Sequence, residues 1–358
     1  MSLRIAIVGC GKAAENHAVA IKGQRGASIV AACDSEPLMA EQFCARHGVK
    51  FAYSDLIPLL EEQRPDVVHV TTPPKSHAPL ALASIEAGSH VFVEKPLAES
   101  AEDAARIIHA TERSRKKLTV GWTYYFDPAV RKMRTRVSQG LIGTPVHVEI
   151  LQAYDLAGNF GKVVLAQPDH WLHDLRGKLL QNNLDHLLSL AVEFLPEAAS
   201  LQDLCAWSSA DSVCPDLFDE LRLTLGDQRT SIRVTFSCRV RPIGYFLTIA
   251  GSKRTVRLNL TNQTLMVDSE SALPGPLARL AGAFCEAQQS VMNLFQNGAD
   301  LFRSDSFGLP GLRFLVAAFY QSIEQDDDVP IPYEHILSVS ELMDDVIARS
   351  EMQPMTAR

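Results

Sequence analysis

Short apolar runs alternate with longer helical stretches over the first third of the chain. The β-rich runs are predicted as strands at residues 4–8, 28–33, 66–71, 90–94 and 118–121. The stretches between them are predicted as helices at residues 12–22, 37–47, 79–87 and 101–116. Because these strands are apolar along their whole length, they need cover on both faces, which is typical of a parallel sheet between helices. The pattern therefore predicts an N-terminal α/β domain.

After residue 122 the pattern changes. Helices are predicted at 128–139 and 181–194, and strands at 146–154, 219–225, 230–237, 245–251, 253–260 and 263–268. A loop rich in Gly, Pro and His separates the first of these strands from the second helix. From about residue 277 the pattern is helical again, with breaks at 310 and 330–332 and a loop at 326–328. Strands that follow one another directly indicate a mixed, largely antiparallel sheet, so this part is predicted as α+β.

The length of 358 residues also favours two domains, since a single core usually stops growing near about 250–300 residues. We predict a division into residues 1–122 and 123–358. Apolar residues make up 46% of the chain and charged residues 21%, which is ordinary for a folded globular protein and excludes disorder or a fibre.

Charge and cysteine usage narrow the classes further. The 34 basic and 42 acidic residues are interleaved and give a net charge of −8, so neither nucleic acid nor an anionic membrane surface is expected as a partner. No apolar run reaches the length of a membrane span, and the first one, residues 3–8, is too short for a secretion signal. The predicted location is cytoplasmic. Seven cysteines without metal-like spacing predict neither a disulfide framework nor a metal site.

A glycine motif of the form G-x-G-x-x-A lies between the first strand and the first helix. Gly9 permits a tight turn, Gly11 lets the backbone approach a pyrophosphate, and Ala14 allows close packing of the helix on the strand. The helix N-terminus supplies amide hydrogens and the positive end of its dipole. Lys12 could add charge near the pyrophosphate or be an ordinary surface lysine. We predict a dinucleotide-binding turn here.

An acidic residue follows at the distance that this motif requires. Asp34 ends the next strand, 23 residues after Gly11, where its carboxylate can accept hydrogen bonds from both hydroxyls of the adenosine ribose. The same carboxylate would repel a 2′-phosphate. NAD is therefore the predicted cofactor, in preference to NADP. The alternative is an incidental glycine turn with a solvated aspartate.

Two further polar segments follow strands of the predicted sheet. Thr72, Pro73, Pro74 and His77 come after the strand at 66–71, and Glu94 and Lys95 come after the strand at 90–93. Open α/β sheets bind ligands at these carboxyl ends of strands. A partly desolvated lysine beside a cationic nicotinamide has a lowered pKa, which suits proton transfer. The alternative for Lys95 is a surface lysine.

These segments together resemble the Gfo/Idh/MocA oxidoreductase family. The resemblance rests on GCGKAAENH at 9–17, TPPKSH at 72–77, EKPL at 94–97, GWTYYFDP at 121–128 and GSKRTVRLNLTNQTL at 251–265. It implies a Rossmann domain followed by a mixed-sheet domain whose open face forms the substrate site and often an oligomer interface. A homodimer or homotetramer and a cis peptide bond before Pro96 are implied as well.

Members of this family usually carry an Asp and, four residues later, a His on a helix of the substrate domain. In this chain Asn182 and His186 stand at those places, and a spacing of four puts both on one helical face. The resemblance implies that His186 takes the hydroxyl proton while Lys95 contacts the same oxygen. Two residues depart from the family pattern: Asn182 stands in place of the acidic residue, and Lys178 stands in place of a glycine. The alternatives are a core histidine and, for Asn182, a helix cap.

Aromatic and polar residues near these positions are candidates for substrate contacts. Tyr124 follows the EKP region, and Trp171 and His173 lie with Lys162 and His170 on the loop before the predicted helix. Stacking and hydrogen bonding could hold a sugar there. The alternatives are plain packing or an interface.

The sequence thus predicts an NAD-dependent dehydrogenase that acts on a secondary alcohol of a sugar, cyclitol or sugar derivative. A second hypothesis is a dinucleotide-binding sensor or partner subunit without redox turnover, because Asn182 and Lys178 alter only the catalytic half. A third keeps the redox chemistry but uses it transiently during elimination or hydrolysis.

Overall fold

A computed structural model describes residues 2–195, 200–209, 212, 214, 217–268, 270–271, 273–302 and 309–352, apart from the side chains at 301, 302 and 352. The chain forms two compact units. The first comprises Met1–Phe126 with Gly308–Asp344, and the second comprises Asp127–Phe307 with Asp345–Arg358.

The first unit is built on a parallel sheet of six strands in the order β3-β2-β1-β4-β5-β6. The strands are β1 Leu3–Val8, β2 Ala27–Cys33, β3 Phe51–Tyr53, β4 Val67–Val70, β5 His90–Val93 and β6 Leu118–Val120. The helices between them are α1 Lys12–Lys22, α2 Pro37–His47, α3 Leu56–Gln63, α4 His77–Glu86 and α5 Ala101–Arg113. The predicted α/β domain with a parallel sheet is confirmed.

Two elements of this unit escaped the sequence pattern. The strand β3 has three residues and lies at the sheet edge, where two of its side chains are exposed. Such a short, half-exposed strand offers too little periodicity to be recognised. Helix α3 follows it. Its N-cap is Asp55, whose side chain accepts a hydrogen bond from the Ile57 amide.

A late segment up to Asp344 also belongs to the first unit. It contains helix α10, Pro310–Gln325, which begins at the predicted break, and the part of helix α11, Tyr333–Met352, that precedes Asp345; α11 begins after the prolines at 330 and 332. Tyr333 accepts a hydrogen bond from the Leu118 amide at 3.0 Å, and the Lys117 ammonium donates to the Ser322 carbonyl at 2.6 Å. The predicted division assigned all of 123–358 to one domain, whereas these contacts bring 308–344 to the N-terminal sheet. Sequence periodicity carries no signal for such long-range pairing.

The second unit contains a seven-stranded sheet in the order β13-β12-β11-β7-β10-β9-β8. Its strands are β7 Pro145–Ala153, β8 Ser200–Trp207, β9 Glu220–Gly226, β10 Ser231–Ser237, β11 Gly244–Gly251, β12 Thr255–Asn259 and β13 Thr264–Asp268. Only β10 and β7 pair in parallel among the described strands of this sheet. The helices are α6 Pro128–Ser138, α7 Asn159–Ala166, α8 Lys178–Val192 and α9 Gly275–Phe302. The predicted mixed, largely antiparallel sheet is confirmed, although β8 and α7 were not predicted.

A buried carboxyl group at the start of α6 leads to a prediction about pH. Asp127 caps this helix through the Ala129 amide and accepts a hydrogen bond from Gln263 at 3.0 Å. Burial outweighs these hydrogen bonds and raises the pKa of Asp127 from 3.8 to about 6. A raised pKa means that the folded state binds the Asp127 proton more tightly than the unfolded state does. The stabilisation that results is fully present below pH 3.8 and is lost as the pH rises through about 6. Asp127→Asn removes this loss, so between pH 4 and 7.5 its free energy of unfolding should fall by about 2–3 kcal/mol less than that of the wild type.

Urea unfolding at both pH values measures this difference. Asp55→Asn is the matched control, because Asp55 also caps a helix but is exposed. Equal pH dependence in the two variants would contradict the prediction.

Candidate functional site

The predicted cofactor residues of the first unit gather at one edge of its sheet. Strands β2, β1, β4 and β5 are neighbours and run in parallel, so the segments that follow them begin at the same edge. These segments carry Gly9, Gly11, Lys12, Ala14, Asp34, Thr72, Pro73, Pro74, His77, Glu94 and Lys95.

The glycine turn has the backbone geometry that the motif predicts. Gly9 has φ +90°, and a Cβ atom there would lie 2.6 Å from Thr72 Cγ2, so only glycine fits without displacement. Gly11 stands directly before α1, and a Cβ atom built on it would meet no atom within 4 Å. Ala14 is buried and Lys12 is exposed. The space beside Gly11 and the amides of α1 can therefore receive a phosphate group.

Asp34 ties the glycine turn to the second strand. Its Oδ2 accepts a hydrogen bond from the Cys10 amide at 2.7 Å, and its Oδ1 accepts one from the Glu36 amide at 3.0 Å. Each carboxylate oxygen retains a second acceptor site, and the side chain is partly exposed. Asp34 can thus hold the turn and accept a ribose hydroxyl at the same time. Its contact with Cys10 was not anticipated from the sequence.

The segment after β4 is joined to the segment after β5 by a buried ring. The His77 Nδ1 lies 2.7 Å from the Pro96 carbonyl oxygen, and its Nε2 lies 2.8 Å from the Thr72 carbonyl oxygen. Burial lowers the pKa of His77, although both carbonyl contacts act in the opposite direction. The ring is 0% exposed, so its two contacts hold the segment after β4 and the segment after β5 together in the interior of the unit. The hydroxyl of Thr72 accepts a hydrogen bond from Ser76 at 2.8 Å.

Glu94 and Lys95 are held by a compact set of contacts. The peptide bond between Lys95 and Pro96 is cis, as the resemblance implied. The Glu94 Oε2 accepts a hydrogen bond from the Lys95 amide at 3.1 Å, and Oε1 lies 2.9 Å from His17 Nε2. Burial raises the pKa of Glu94, but the hydrogen bond and charge of His17 and the charge of Lys95 outweigh it and leave the pKa below its ordinary value. Glu94 is therefore a carboxylate at neutral pH.

A chain of buried side chains continues from Glu94 through His17 and His69 to Tyr320. The two histidines face each other through Nδ1 atoms 2.7 Å apart, and His69 Nε2 lies 2.8 Å from the Tyr320 hydroxyl. Burial holds the pKa of His69 well below its ordinary value, so His69 is neutral. The Glu94 carboxylate ends this chain of contacts next to Lys95, with its Oε1 2.9 Å from His17 Nε2 and its Oε2 accepting from the Lys95 amide.

The sequence did not predict this series of contacts from Glu94 to Tyr320. A histidine inside the buried strand β4 was its one local signal, since His69 interrupts a run of valines. Its partner Tyr320 is 251 positions away.

In the second unit, α8 presents Asn182 and His186 one turn apart. The helix begins at Lys178, three residues before the predicted start, with Gly177 at its N-cap. Asn182 lies inside the helix and is 8% exposed, so the reading of Asn182 as a cap is wrong. The His186 carbonyl accepts a hydrogen bond from the Tyr245 hydroxyl at 2.7 Å. Lys178 has φ +44°, a backbone conformation that favours glycine. This agrees with the glycine that relatives usually carry at this position.

The predicted substrate residues occupy two short 3₁₀ turns. Tyr124 begins the turn Tyr124–Phe126 in the first unit and is half-buried. Trp171 and His173 lie on the turn Trp171–Asp174 in the second unit. His173 Nε2 lies 3.0 Å from the Val164 carbonyl oxygen, so this ring holds the turn against α7. The Trp171 ring packs against the His170 ring at an interplanar angle of 35°, with ring centroids 5.1 Å apart. Contact of these side chains with a substrate stays a prediction.

Among the residues that the structure describes, no cluster of three or more His, Cys, Asp or Glu side chains is arranged to hold a metal ion. None of the described helices combines the length and the apolar character needed to cross a membrane.

Known proteins resemble the N-terminal part of the chain in sequence and the whole chain in fold. Residues 3–122 match the model of the GFO_IDH_MocA family, an oxidoreductase family with an NAD-binding Rossmann fold. Inositol 2-dehydrogenase 1 of Saccharopolyspora erythraea is 33% identical over 151 residues, which cover 41% of this chain and 45% of that protein. The chain spans about half the length, or less, of the first curated relatives that it matches.

Two solved structures show the likeness in fold over the whole chain. An oxidoreductase domain protein from Kribbella flavida superposes with a TM-score of 0.78 at 18% identity and covers 100% of both chains. The WlbA dehydrogenase from Bordetella pertussis, solved with NADH and UDP-GlcNAcA, gives a TM-score of 0.72 at 18% identity, again over 100% of both chains.

The parallel sheet, the glycine turn and the acidic residue beside it define an NAD-binding Rossmann domain. The domain at residues 3–122 belongs to the Gfo/Idh/MocA oxidoreductase family. The predicted fold class is confirmed, and the match confirms the predicted family and the NAD-binding fold for residues 3–122.

Proposed function

We propose that this protein is an NAD-dependent dehydrogenase that transfers hydride between nicotinamide and a secondary alcohol of a sugar, cyclitol or sugar derivative. The observation that carries the proposal is the edge of the first sheet. There the open backbone at Gly11, the remaining acceptor sites of Asp34 and the anchored pair Glu94 and Lys95 follow neighbouring strands. The names of the relatives, among them inositol 2-dehydrogenases, favour a polyol or sugar substrate.

Each part of the cofactor would be held by a different segment. Gly9, Gly11, Lys12 and Ala14 would receive the pyrophosphate, and Asp34 would bind the adenosine ribose. The segments at 72–74 and 94–95 would flank the nicotinamide, which accepts or donates the hydride when it is bound.

The remaining groups would serve the substrate. Lys95 would hydrogen-bond the reacting oxygen, and His186 would take the hydroxyl proton as the hydride leaves. Asn182 would orient the substrate from the same face of α8, and Tyr124, Trp171 and His173 would contact its ring.

Asp34 should make the protein prefer NADH to NADPH. In Asp34→Asn the amide oxygen can still accept the Cys10 hydrogen bond, but the charge that repels a 2′-phosphate is lost. We therefore expect the ratio of the two dissociation constants to move at least about tenfold towards NADPH, which is about 1.4 kcal/mol. Titration of cofactor-free protein with each nucleotide, followed by tryptophan energy transfer, measures the ratio.

Glu36→Gln removes a neighbouring exposed carboxylate and serves as the control. Preference for NADPH in the wild type, or an equal change of the ratio in both variants, would contradict the role given to Asp34.

The activity itself is tested by following NAD⁺ reduction over a panel of polyols, cyclitols and sugars. Reduction with at least one of them supports the proposal. Saturable NADH binding without reduction of NAD⁺ by any member would replace it with a sensor or partner subunit. Purification with a bound NAD that does not exchange would point to transient redox chemistry during elimination or hydrolysis.

A further inference from the structure

Helix α9 turns a polar face towards the sheet of the second unit. Gln289 exchanges two hydrogen bonds with the backbone of Val267, at 2.7 and 3.1 Å. Asn293 does the same with the backbone of Leu265, at 3.3 and 3.1 Å. One helical turn further along, Asn297 donates to the Asn262 carbonyl at 2.7 Å.

This pairing is possible because the helix and the strand advance by nearly the same distance between successive contacts. Four helical residues rise about 6 Å, and two strand residues rise about 6.6 Å. Amide side chains spaced by four on the helix therefore meet alternate backbone groups of β13. Since β13 is the edge strand of the sheet, the amides and carbonyls that Leu265 and Val267 turn away from β12 are satisfied by α9.

The opposite face of α9 is apolar and exposed. Of the seven large apolar side chains that α9 exposes, the six other than Met292 are Leu277, Leu280, Phe284, Val291, Leu294 and Phe295, with exposed fractions of 53, 70, 70, 51, 69 and 73%. We call this set the α9 apolar face. At about 100° per residue, its members centre on the side of the helix opposite to the amide side chains. A surface helix ordinarily buries its apolar side and exposes its polar side, so α9 is inverted.

The exposed area is large enough for a stable interface. Because a fully buried aromatic side chain removes about 150–250 Å² from water, the six side chains together expose on the order of 800 Å². The largest apolar patch of a typical monomer is about 300–600 Å². A specific interface buries about 800 Å² on each partner. The α9 apolar face therefore matches what one partner contributes to a stable dimer.

We propose that two copies of this chain pair through their α9 apolar faces, with the helices antiparallel. In the proposed arrangement a two-fold axis between residues 289 and 290 places Phe284 of one copy against Phe295 of the other.

The charges on α9 favour a second copy over a membrane. Helices that lie on anionic membranes carry Lys and Arg along their polar face. α9 has one basic residue, Arg279, against Glu286 and Asp300, and the Glu286 carboxylate is paired with Arg257 at 3.0 Å.

Analytical ultracentrifugation of the full chain provides the first test. The wild type should sediment as a dimer at micromolar concentration. The double variant Phe284→Asp/Phe295→Asp should raise the dimer dissociation constant at least about 100-fold, since two buried aromatic contacts are replaced by charges. Leu38→Asp is the matched control, because Leu38 is 62% exposed on α2 of the first unit; it should leave the dimer unchanged. Circular dichroism shows whether each variant is folded.

Disulfide trapping tests the register without charged substitutions. In a Cys285→Ser background, which removes the exposed native thiol of this helix, protein with Phe284→Cys is mixed with protein with Phe295→Cys. The mixture should form a cross-linked dimer on oxidation. Either protein alone should not, because the two-fold axis separates identical positions by about 16 Å, far beyond disulfide reach.

Three outcomes would overturn the proposal. A monomeric wild type at about 50 μM, well above the expected dissociation constant, would show that the α9 apolar face does not self-associate. A dimer that survives the double variant would place the interface elsewhere. A monomer that floats with vesicles of phosphatidylcholine and phosphatidylserine would make the face a lipid-binding surface instead.

Discussion

Lys95→Met should lower kcat on the substrate found in the panel by about a thousandfold, the upper end of the range of roughly 10²–10³ for a hydrogen-bond donor to a reacting oxygen. Lys95 is half-buried, and its amide is fixed by the Glu94 carboxylate. That carboxylate is held ionised by His17, so a negative charge stands beside the ammonium group. Methionine keeps the length of the side chain and removes its donors and charge. The dissociation constant for NADH should stay within a few-fold, because the pyrophosphate and ribose are held elsewhere.

Steady-state kinetics of the wild type, Lys95→Met and a control variant tests the role of Lys95 in turnover. Lys75→Met is the control, since Lys75 lies at the same edge of the sheet but is exposed, and its kcat should change little. If Lys95→Met kept more than about a tenth of the wild-type kcat, the proposed hydrogen bond from Lys95 to the reacting oxygen would be refuted.

Gly9→Ala and Gly11→Ala should fail in different ways although both add a single methyl group. At Gly9 the new Cβ would lie 2.6 Å from Thr72 Cγ2 and 2.8 Å from the Thr72 amide nitrogen, at φ +90°. We expect a loss of about 2–5 kcal/mol in the free energy of unfolding from the backbone strain and the overlap. At Gly11 the Cβ meets nothing within 4 Å, so stability should change by less than about 1 kcal/mol.

The difference appears when NADH is added. Gly11→Ala should fold normally but raise the dissociation constant for NADH at least about tenfold, because its methyl group enters the space that the pyrophosphate needs. Denaturant unfolding and NADH titration of both variants measure the two effects separately. Unaltered NADH affinity in a folded Gly11→Ala protein would show that the dinucleotide does not approach this turn.

Stability and binding are therefore expected to separate between two glycines only two positions apart. Gly9 is required because another backbone segment of the protein already fills the space that a side chain would need. Gly11 is required, under the proposed function, because a ligand fills that space. This distinction is what makes the pair informative about function.

Several features could be predicted from local sequence because their causes are local. The glycine turn needs particular residues at fixed offsets, and Asp34 follows at the end of the next strand. Apolar runs that need cover on both faces indicate a parallel sheet wherever they occur. Asn182 and His186 were placed on one helical face by their spacing alone, and α8 carries both.

Other features depend on which distant segments meet. The short strand β3 became recognisable only through its pairing with β2. The partner of His69 is 251 residues away, and residues 308–344 join the first unit through contacts with β4 and the segment at 117–118. Hydrophobic periodicity reports the environment of one element and not the identity of its neighbour.

Helix α9 illustrates the same limit. Its sequence predicts a helix, and a helical wheel separates an apolar from a polar side. An isolated pattern of this kind predicts that the apolar side is buried. The structure reverses this orientation, because the amides and carbonyls of the edge strand β13 need hydrogen-bond partners that Gln289 and Asn293 supply.

The sequence by itself thus determined the fold class, the glycine turn and the family of residues 3–122, because those follow from short-range spacing and backbone requirements. The tertiary structure alone decided how the Glu94 charge is maintained, which late segments complete the first unit and which side of α9 is exposed. Each of these depends on satisfying buried or edge polar groups with partners far along the chain, and that choice is made only when the elements pack.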